Sequence, residues 1–416
     1  MNRKTLTALA LATVLVLVAA IALHLSRKPR SEADAGKPAE ALVPALSEHV
    51  NDVDRVVVTG AGGTVLATLV RGTGGWTLQE KGGYAVDTGK LRAFLLKLAD
   101  SRLLEPKTAN KERYAALGVE DVAAADAKGM QVELGGLAQP LRLVIGNANT
   151  RGGSTFVRRA DEAQSWLASG LLAPEKTAAD WLGRDLADVD AARLTEVVLT
   201  GADGKVVRAS KEAEGDANFT LADVPKGREP ASEYAVNSLA SGLDGLRFDD
   251  VVPAGTEAPP AEARKARYAA FDGLVVDVVA WEADGKHYAR FAASLDDARA
   301  TSHVEAAQAS AKDAYEAAKA QAATVAASPK TDVAAAEAKP AEPATAPLAV
   351  SDPAKDREQR LAKARDEVAS LQHRFDGWTF IIPAFKYAGM EKSLDDLLKP
   401  VESKVPAAAK KAAAKK

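Results

Sequence analysis

The sequence predicts an α+β fold. It comprises an N-terminal transmembrane helix, a tandem duplication of a mainly antiparallel sheet-plus-helix domain, and an alanine-rich helical hairpin inserted in the second copy. Three observations predict it: a set of motifs recurs in order, short β-branched runs alternate with glycine turns and occasional helical segments, and an apolar run stands near the start. The recurrence weighs most. Val56-Val57-Val58-Thr59-Gly60-Ala61-Gly62-Gly63-Thr64-Val65 returns 141 positions later as Val197-Val198-Leu199-Thr200-Gly201-Ala202-Asp203-Gly204-Lys205-Val206. Trp76-Thr77-Leu78 answers to Phe219-Thr220-Leu221, and Tyr84-Ala85-Val86-Asp87-Thr88 to Tyr234-Ala235-Val236-Asn237-Ser238, at offsets of 143 and 150. Arg113-Tyr114-Ala115-Ala116-Leu117 answers to Arg267-Tyr268-Ala269-Ala270-Phe271 at 154. Matches in one order, with a slowly growing offset, are what a duplication leaves once its loops lengthen. Strands in hairpin runs with occasional helices indicate α+β architecture.

The first element is the apolar run 6–25, LTALALATVLVLVAAIALHL, long enough to span a bilayer as a helix of about 20 residues. Arg3 and Lys4 precede it. Arg27, Lys28 and Arg30 follow where small neutral residues would favour cleavage, so the segment reads as an uncleaved signal anchor. Basic residues on both sides leave the positive-inside rule without a vote. A short head before a long C-terminal part points to export. The assignment is therefore a head and anchor over 1–30, a flexible tether over 31–49, and a soluble part facing the periplasm from the inner (cytoplasmic) membrane.

The first repeat domain is placed at 50–190. Gly60, Gly62 and Gly63 invite comparison with a phosphate loop, but a dinucleotide fingerprint needs a further spaced glycine and a helix directly after it. Val65 stands there and a β-branched run follows, so a hairpin turn is expected. Trp76 and Leu78 alternate onto one strand face. Leu91, Phe94, Leu95 and Leu98 carry the spacing of an amphipathic helix. Asp87 and Thr88 supply capping chemistry there, as Asn237 and Ser238 do in the second copy. Tyr84 and Tyr234 stand either as a paired binding site or as packing where the chain enters each helix. A strand at 103–105, a helix over 110–117 ended by Gly118, and strands at 130–134, 141–145 and 155–158 follow. Trp166, a helix from Pro174 and Trp181-Leu182 close the unit.

The second repeat domain is placed at 191–297 and 376–400, with a helix carrying Leu239 and Leu243, a hairpin through Ala283-Asp284-Gly285, a strand at 377–383, and a last helix capped by Ser393. The insertion 298–375 separates its parts. Ala311, Tyr315, Ala318, Ala322 and Val325 form one narrow seam, and Leu361, Ala364, Val368, Leu371 and Phe375 another. Between them 328–353 carries five prolines among alanine, lysine and glutamate, a disordered composition. Such a hairpin serves either as a docking arm or as tolerated surface growth. The lysine- and alanine-rich tail 401–416 is read as disordered. It is either a solubilising end or an attractor of acidic head groups, at about 1 kcal/mol per lysine near a charged membrane.

Chemistry is sparse. The 416 residues carry a net charge of −3, which argues against a nucleic-acid partner. No cysteine is present, so disulfides and thiolate metal sites are excluded. His24, His49, His287, His303 and His373 are scattered singly, without a metal-ligand spacing. The acidic pairs Asp249-Asp250, Asp296-Asp297 and Asp395-Asp396 fall at turns or helix starts, where aspartate is favoured anyway. No catalytic, cofactor-binding or metal-ligating residue is therefore assigned, no cofactor is expected, and the chain is expected not to be an enzyme.

Taken together, the anchor and the motifs at 56–60, Trp76-Thr77-Leu78, Tyr84 to Asp87, the apolar helix through Leu98, and Arg113-Tyr114 with Leu117-Gly118 resemble the bacterial domain-of-unknown-function family numbered 4340. The likeness covers roughly 50–295 and resumes at 378–398; the inserted hairpin departs from it. Members are typically encoded near ABC-type export permeases and gliding-type auxiliary proteins. The resemblance thus implies a membrane-anchored accessory subunit, with permease or auxiliary subunits as partners and no catalytic residues to transfer. Two other readings stand beside it: an envelope polymer hydrolase using carboxylates between the repeats, and a structural spacer that self-associates through the hairpin.

Overall fold

In a computed structural model of the chain, the described residues are 40–149, 152–327 and 346–400. The predicted anchor, most of the tether, most of the proline-rich loop and the tail lie outside them. Among the described residues no helix is long and apolar enough to cross a membrane. The fold is mixed α+β with large antiparallel sheets. It divides into two compact units, Met1–Gly74 with Thr88–Lys176, and Gly75–Asp87 with Thr177–Lys416.

The first unit contains α1 (Pro44–His49), β1 (Arg55–Thr59) and β2 (Val65–Gly72). The chain then passes through β3 (Gly75–Leu78) and β4 (Tyr84–Ala85), which belong to the second unit, and returns with α2 (Thr88–Asp100), β5 (Leu103–Pro106), α3 (Tyr114–Leu117), β6 (Met130–Gly135), β7 (Leu141–Asn149), β8 (Ser154–Arg159) and β9 (Ser165–Ser169). Its seven strands run β2-β1-β6-β7-β8-β9-β5. Strand alternation buries Val56 and Val58 on β1, while α2 buries Leu91, Phe94, Leu95 and Leu98, the face its spacing predicts. The expected flexible tether ends sooner than 49. The Leu42 N–H donates to the Ser101 carbonyl at 2.9 Å, Leu42, Val43 and Leu46 are buried, and α1 packs on α2. Three large apolar side chains in that short stretch outweigh its proline content.

The glycine-rich turn is a turn. The Gly60 N–H donates to the Thr64 carbonyl at 2.8 Å, and the Gly62 and Gly63 N–H groups donate to the Ala124 and Val122 carbonyls, each at 2.9 Å. The donors a phosphate would need are therefore used internally. Gly201 repeats the first of these bonds, to the Lys205 carbonyl at 2.9 Å.

The second unit continues with β10 (Asp185–Ala187), β11 (Leu194–Thr200), β12 (Val206–Ser210), β13 (Thr220–Leu221), α4 (Glu233–Asn237), β14 (Leu246–Arg247), β15 (Asp250–Pro253), β16 (Arg264–Ala270), β17 (Leu274–Ala283) and β18 (Lys286–Leu295). After the insertion come β19 (Trp378–Ile381) and α8 (Ala384–Met390). Its sheet runs β13-β12-β11-β16-β17-β18-β19-β15, and β10 pairs with β14. From β12 onward this is the order of the first unit with every strand number raised by ten. The β17–β18 hairpin turns at Asp284 and Gly285, both with positive φ, the conformation a tight two-residue hairpin demands.

Residues 75–87 are built into this second unit. Tyr84 packs edge-on against Trp378 at 4.9 Å and Phe248 at 5.5 Å. Lys81 pairs with Asp250 at 2.7 Å, and the Asp87 N–H donates to the Trp181 carbonyl at 2.8 Å. The predicted first repeat, 50–190, thus differs from the compact unit, which lacks 75–87 and everything after Lys176.

The insertion lies between β18 and β19 and holds α5 (Asp297–Ala327), α6 (Leu348–Ser351) and α7 (Pro353–Phe375). Leu371 and Phe375 are buried, and the Phe375 ring lies 5.3 Å from Phe291 of β18. The predicted α5 seam is displaced: among the described side chains Ala300, Val304 and Gln308 are the buried positions, Ala311 and Tyr315 are half-buried, and Ala318 and Ala322 are exposed. The side chain of Val325 lies outside the described ones. Alanine leaves the periodicity nearly featureless, so the pattern could not fix the face.

Other expectations fail locally. No helix starts at Pro174; a 3-10 turn, Ala178–Trp181, stands there, and Trp166 lies on β9, an unforeseen strand. Tyr84 is on a strand and buried, whereas Tyr234 is on α4 and 83% exposed. Asn237 and Ser238 cap nothing; Ser232 caps α4, and Asn237 accepts the Phe219 N–H at 2.9 Å. The last motif match falls on a helix at 113–117 and on β16 at 267–270. α8 was not foreseen, and Ser393 precedes a single 3-10 turn, Asp395–Leu397.

Candidate functional site

A polar cavity of about 410 Å³ opens in the first unit where α3, the loop after it and the end of β8 meet. Gly118 ends α3 with φ of 69°. The bend brings backbone so close that a Cβ at Gly146 would stand 2.4 Å from the Leu117 carbonyl oxygen. This places the Val119 carbonyl to accept from Arg158 Nε at 2.9 Å. Arg158 Nη1 donates to the Ala160 and Glu162 carbonyls at 3.0 and 3.3 Å, and the guanidinium stacks 4.9 Å from the Tyr114 ring centroid. The Tyr114 hydroxyl donates to the Ala163 carbonyl. Arg158 is only 6% exposed, yet no carboxylate pairs with it among the described residues. Glu120 lines the same cavity, and its buried Oε2 has no hydrogen-bond partner. Of the other acids there, Asp161 pairs with Arg142 at 2.8 Å and Glu162 with Arg159 at 3.2 Å.

A second cavity, about 350 Å³, lies at the base of the inserted hairpin. Arg193 holds it together. Its Nε donates to Asp272 at 2.5 Å, and Nη1 and Nη2 fork onto the two oxygens of Glu367 at 2.7 and 2.8 Å. This bidentate geometry is the strongest form of such a pair. His303 and Arg360 line the cavity but point to Glu214 and Asp356 respectively. The site is therefore largely internally neutralised, and reads as the hairpin's fastening.

The residues singled out in sequence are dispersed. His24 lies outside the described residues. His49 pairs with Asp52 at 2.7 Å, and His287 stacks on Tyr387 at 4.5 Å with its buried Nδ1 unpartnered. Among the acidic pairs, Asp250 meets Lys81, Asp297 meets Arg365, Asp395 meets Arg228, and Asp396 accepts from Ser393. Among the described residues no group of three or more histidines and acids could hold a metal ion. Glu120 and Arg158 were not foreseen. Arg158 followed by Arg159 was the available signal, since alternation on a strand must turn one of two adjacent arginines inward.

Residues 76–266 match the model of the family described as Domain of unknown function (DUF4340). The family resemblance is thereby shown, over a shorter stretch than the sequence motifs covered. No curated protein and no solved structure matches the chain.

Proposed function

From a chain that carries the DUF4340 domain over residues 76–266, we propose a non-catalytic, membrane-anchored envelope protein that serves as an accessory or binding subunit of an ABC-type transport system. The apolar run 6–25 motivates the anchor and the periplasmic placement of the folded part. The two units derive from a duplication, a reading supported by the shared strand order and by the equivalent bonds of Gly60 and Gly201.

The observation that carries the binding role is the fastened arm. α5, at 31 residues, is about 46 Å long, against about 35 Å for the 23 residues of α7. Gln308 faces Pro353 and Asp356 at the start of α7, so α5 runs on past its partner. A base tied by a forked arginine and two buried core side chains, with an exposed outer part, suits presentation of a surface to another subunit.

The test is purification of the full-length protein from native membranes in mild detergent after gentle crosslinking, with mass spectrometry of whatever accompanies it. Stoichiometric permease and ATPase subunits are expected, and they should be lost when residues 316–345 are excised. A protein that emerges alone refutes the transporter link.

A further inference from the structure

We infer that the Glu120–Arg158 cavity of the first unit binds a small zwitterion, its carboxylate at the guanidinium of Arg158 and its ammonium group at Glu120. The argument starts from two unmet demands in one cavity. Burying a guanidinium without a counter-charge is costly, and main-chain carbonyls satisfy its N–H donors without neutralising it. Arg158 is buried in this way: Nε and Nη1 are spent on the carbonyls of Val119, Ala160 and Glu162. Nη2 makes no hydrogen bond among the described residues and is not among the buried unpartnered atoms, so its donors stay open to the cavity that Arg158 lines. The second demand has the opposite sign. Glu120 Oε2 is a buried acceptor with no donor, the kind of group a native structure leaves unsatisfied only where something else completes it.

The two do not complete one another, since no ion pair joins them. Of the acids, Asp161 takes Arg142, Glu162 takes Arg159, and Asp121 accepts the Ala123 N–H at 3.2 Å. Lys111, exposed at the cavity's edge, forms no ion pair among the described residues and adds a second positive charge on the Arg158 side of the balance. A free anion would answer only the cations, Arg158 with Lys111 beside it, and a free amine only Glu120. A molecule with both charges answers the two together, and about 410 Å³ is within the range of small-ligand pockets. The rigid frame suits such a role. Tyr114 holds the guanidinium plane from one side and is itself tied to Ala163, so the donors are oriented before a ligand arrives.

The test uses the full chain in detergent and three matched probes: alanyl-alanine, its N-acetyl form, which lacks the ammonium, and its C-terminal amide, which lacks the carboxylate. Titration calorimetry should show saturable binding of alanyl-alanine, with each capped form at least tenfold weaker. Glu120→Gln keeps the shape of the side chain, and should weaken alanyl-alanine at least tenfold while leaving the N-acetyl form unchanged. If the amide binds as tightly as the free dipeptide, the cavity is a cation site and the zwitterion assignment is wrong. An N-acetyl form that binds equally well overturns it from the other side, as does the lack of saturable binding for any probe.

Discussion

At the scale of single residues, the most consequential side chain outside the cavity is Arg193. It joins the loop at Asp272 to α7 through Glu367, and its guanidinium is held above its already high range, chiefly by the bonds to Glu367. Lysine keeps the charge but cannot present a fork to two carboxylates. Arg193→Lys should therefore cost about 1–2 kcal/mol, and combination with Glu367→Gln should add less than the two single losses together. Urea unfolding of the four proteins measures both; strict additivity would remove the pair from the account. Asp356 offers a second residue-scale test. The Gln308 amide, and after it Arg360, hold its carboxyl below the usual carboxylate range. A depressed carboxylate contributes stability that is whole above the unfolded value of about 3.9 and fades as pH falls through the lower folded value. The wild type should thus hold a constant thermal advantage over Asp356→Asn from pH 7 to about 5, and lose it below about 4. An advantage that vanishes near pH 6 would assign the effect to another group. The long-range contacts were not legible in sequence: Arg193 and Glu367 stand 174 positions apart and Gln308 and Asp356 stand 48 apart, whereas only the i,i+4 pair of Asp356 and Arg360 follows a local pattern.

At the scale of elements, the strands were legible and the helical insertion only partly so. β1, β2, β7 and β17 announce themselves through β-branched residues bounded by turn residues, β6 through Val132 and Leu134 on alternate positions before Gly135, and β18 through Tyr288 and Phe291 after the Asp284-Gly285 turn. β9 and α8 are short and carry mixed composition, so periodicity had little to work with. The hairpin was visible as two helices, yet its alanine-rich first helix hid which face is buried. Its second helix looked like an addition to the surface but supplies Leu371 and Phe375 to the core of the second unit. The insertion should therefore behave as two parts. Phe375→Ala removes a ring 2% exposed and packed on Phe291, and should cost about 3–5 kcal/mol. Replacing 316–345 by a short glycine-serine link removes α5 only where its side chains are exposed, or lie beyond the described ones, and should leave the melting temperature within about 2 °C. Scanning calorimetry of both variants decides the matter. If the excision destabilises as much as Phe375→Ala, the outer arm is structural and loses its claim to be a free docking surface.

At the scale of the whole molecule, the sequence repeats and the folding units do not share their boundaries, and that difference is testable. Under the duplication proposed above, motif recurrence marks where each copy would begin; it contains no record of which unit a segment packs into. The second unit takes Gly75–Asp87 from the stretch read as the first repeat. Leu78, Tyr84 and Val86 are nearly fully buried, and burial of a large apolar side chain is worth about 1.5–3 kcal/mol. Three such residues contribute on the order of 5 kcal/mol, comparable with the about 5–15 kcal/mol that holds a typical domain folded. Without the segment, Phe248 and Trp378 lose the tyrosine packed between them, and Asp250 loses Lys81. A fragment of residues 177–400 should accordingly lack a cooperative melt and bind a hydrophobic dye. Fusing 75–87 to its N-terminus through a glycine-serine linker should restore sharp melting. The same fusion carrying Tyr84→Ala should fall short, because it supplies the strands without the ring that fills the aromatic pocket. Should 177–400 melt cooperatively alone, at the temperature of the fused form, the segment would be an ornament on a unit already complete, and the repeat boundaries would be the folding boundaries after all.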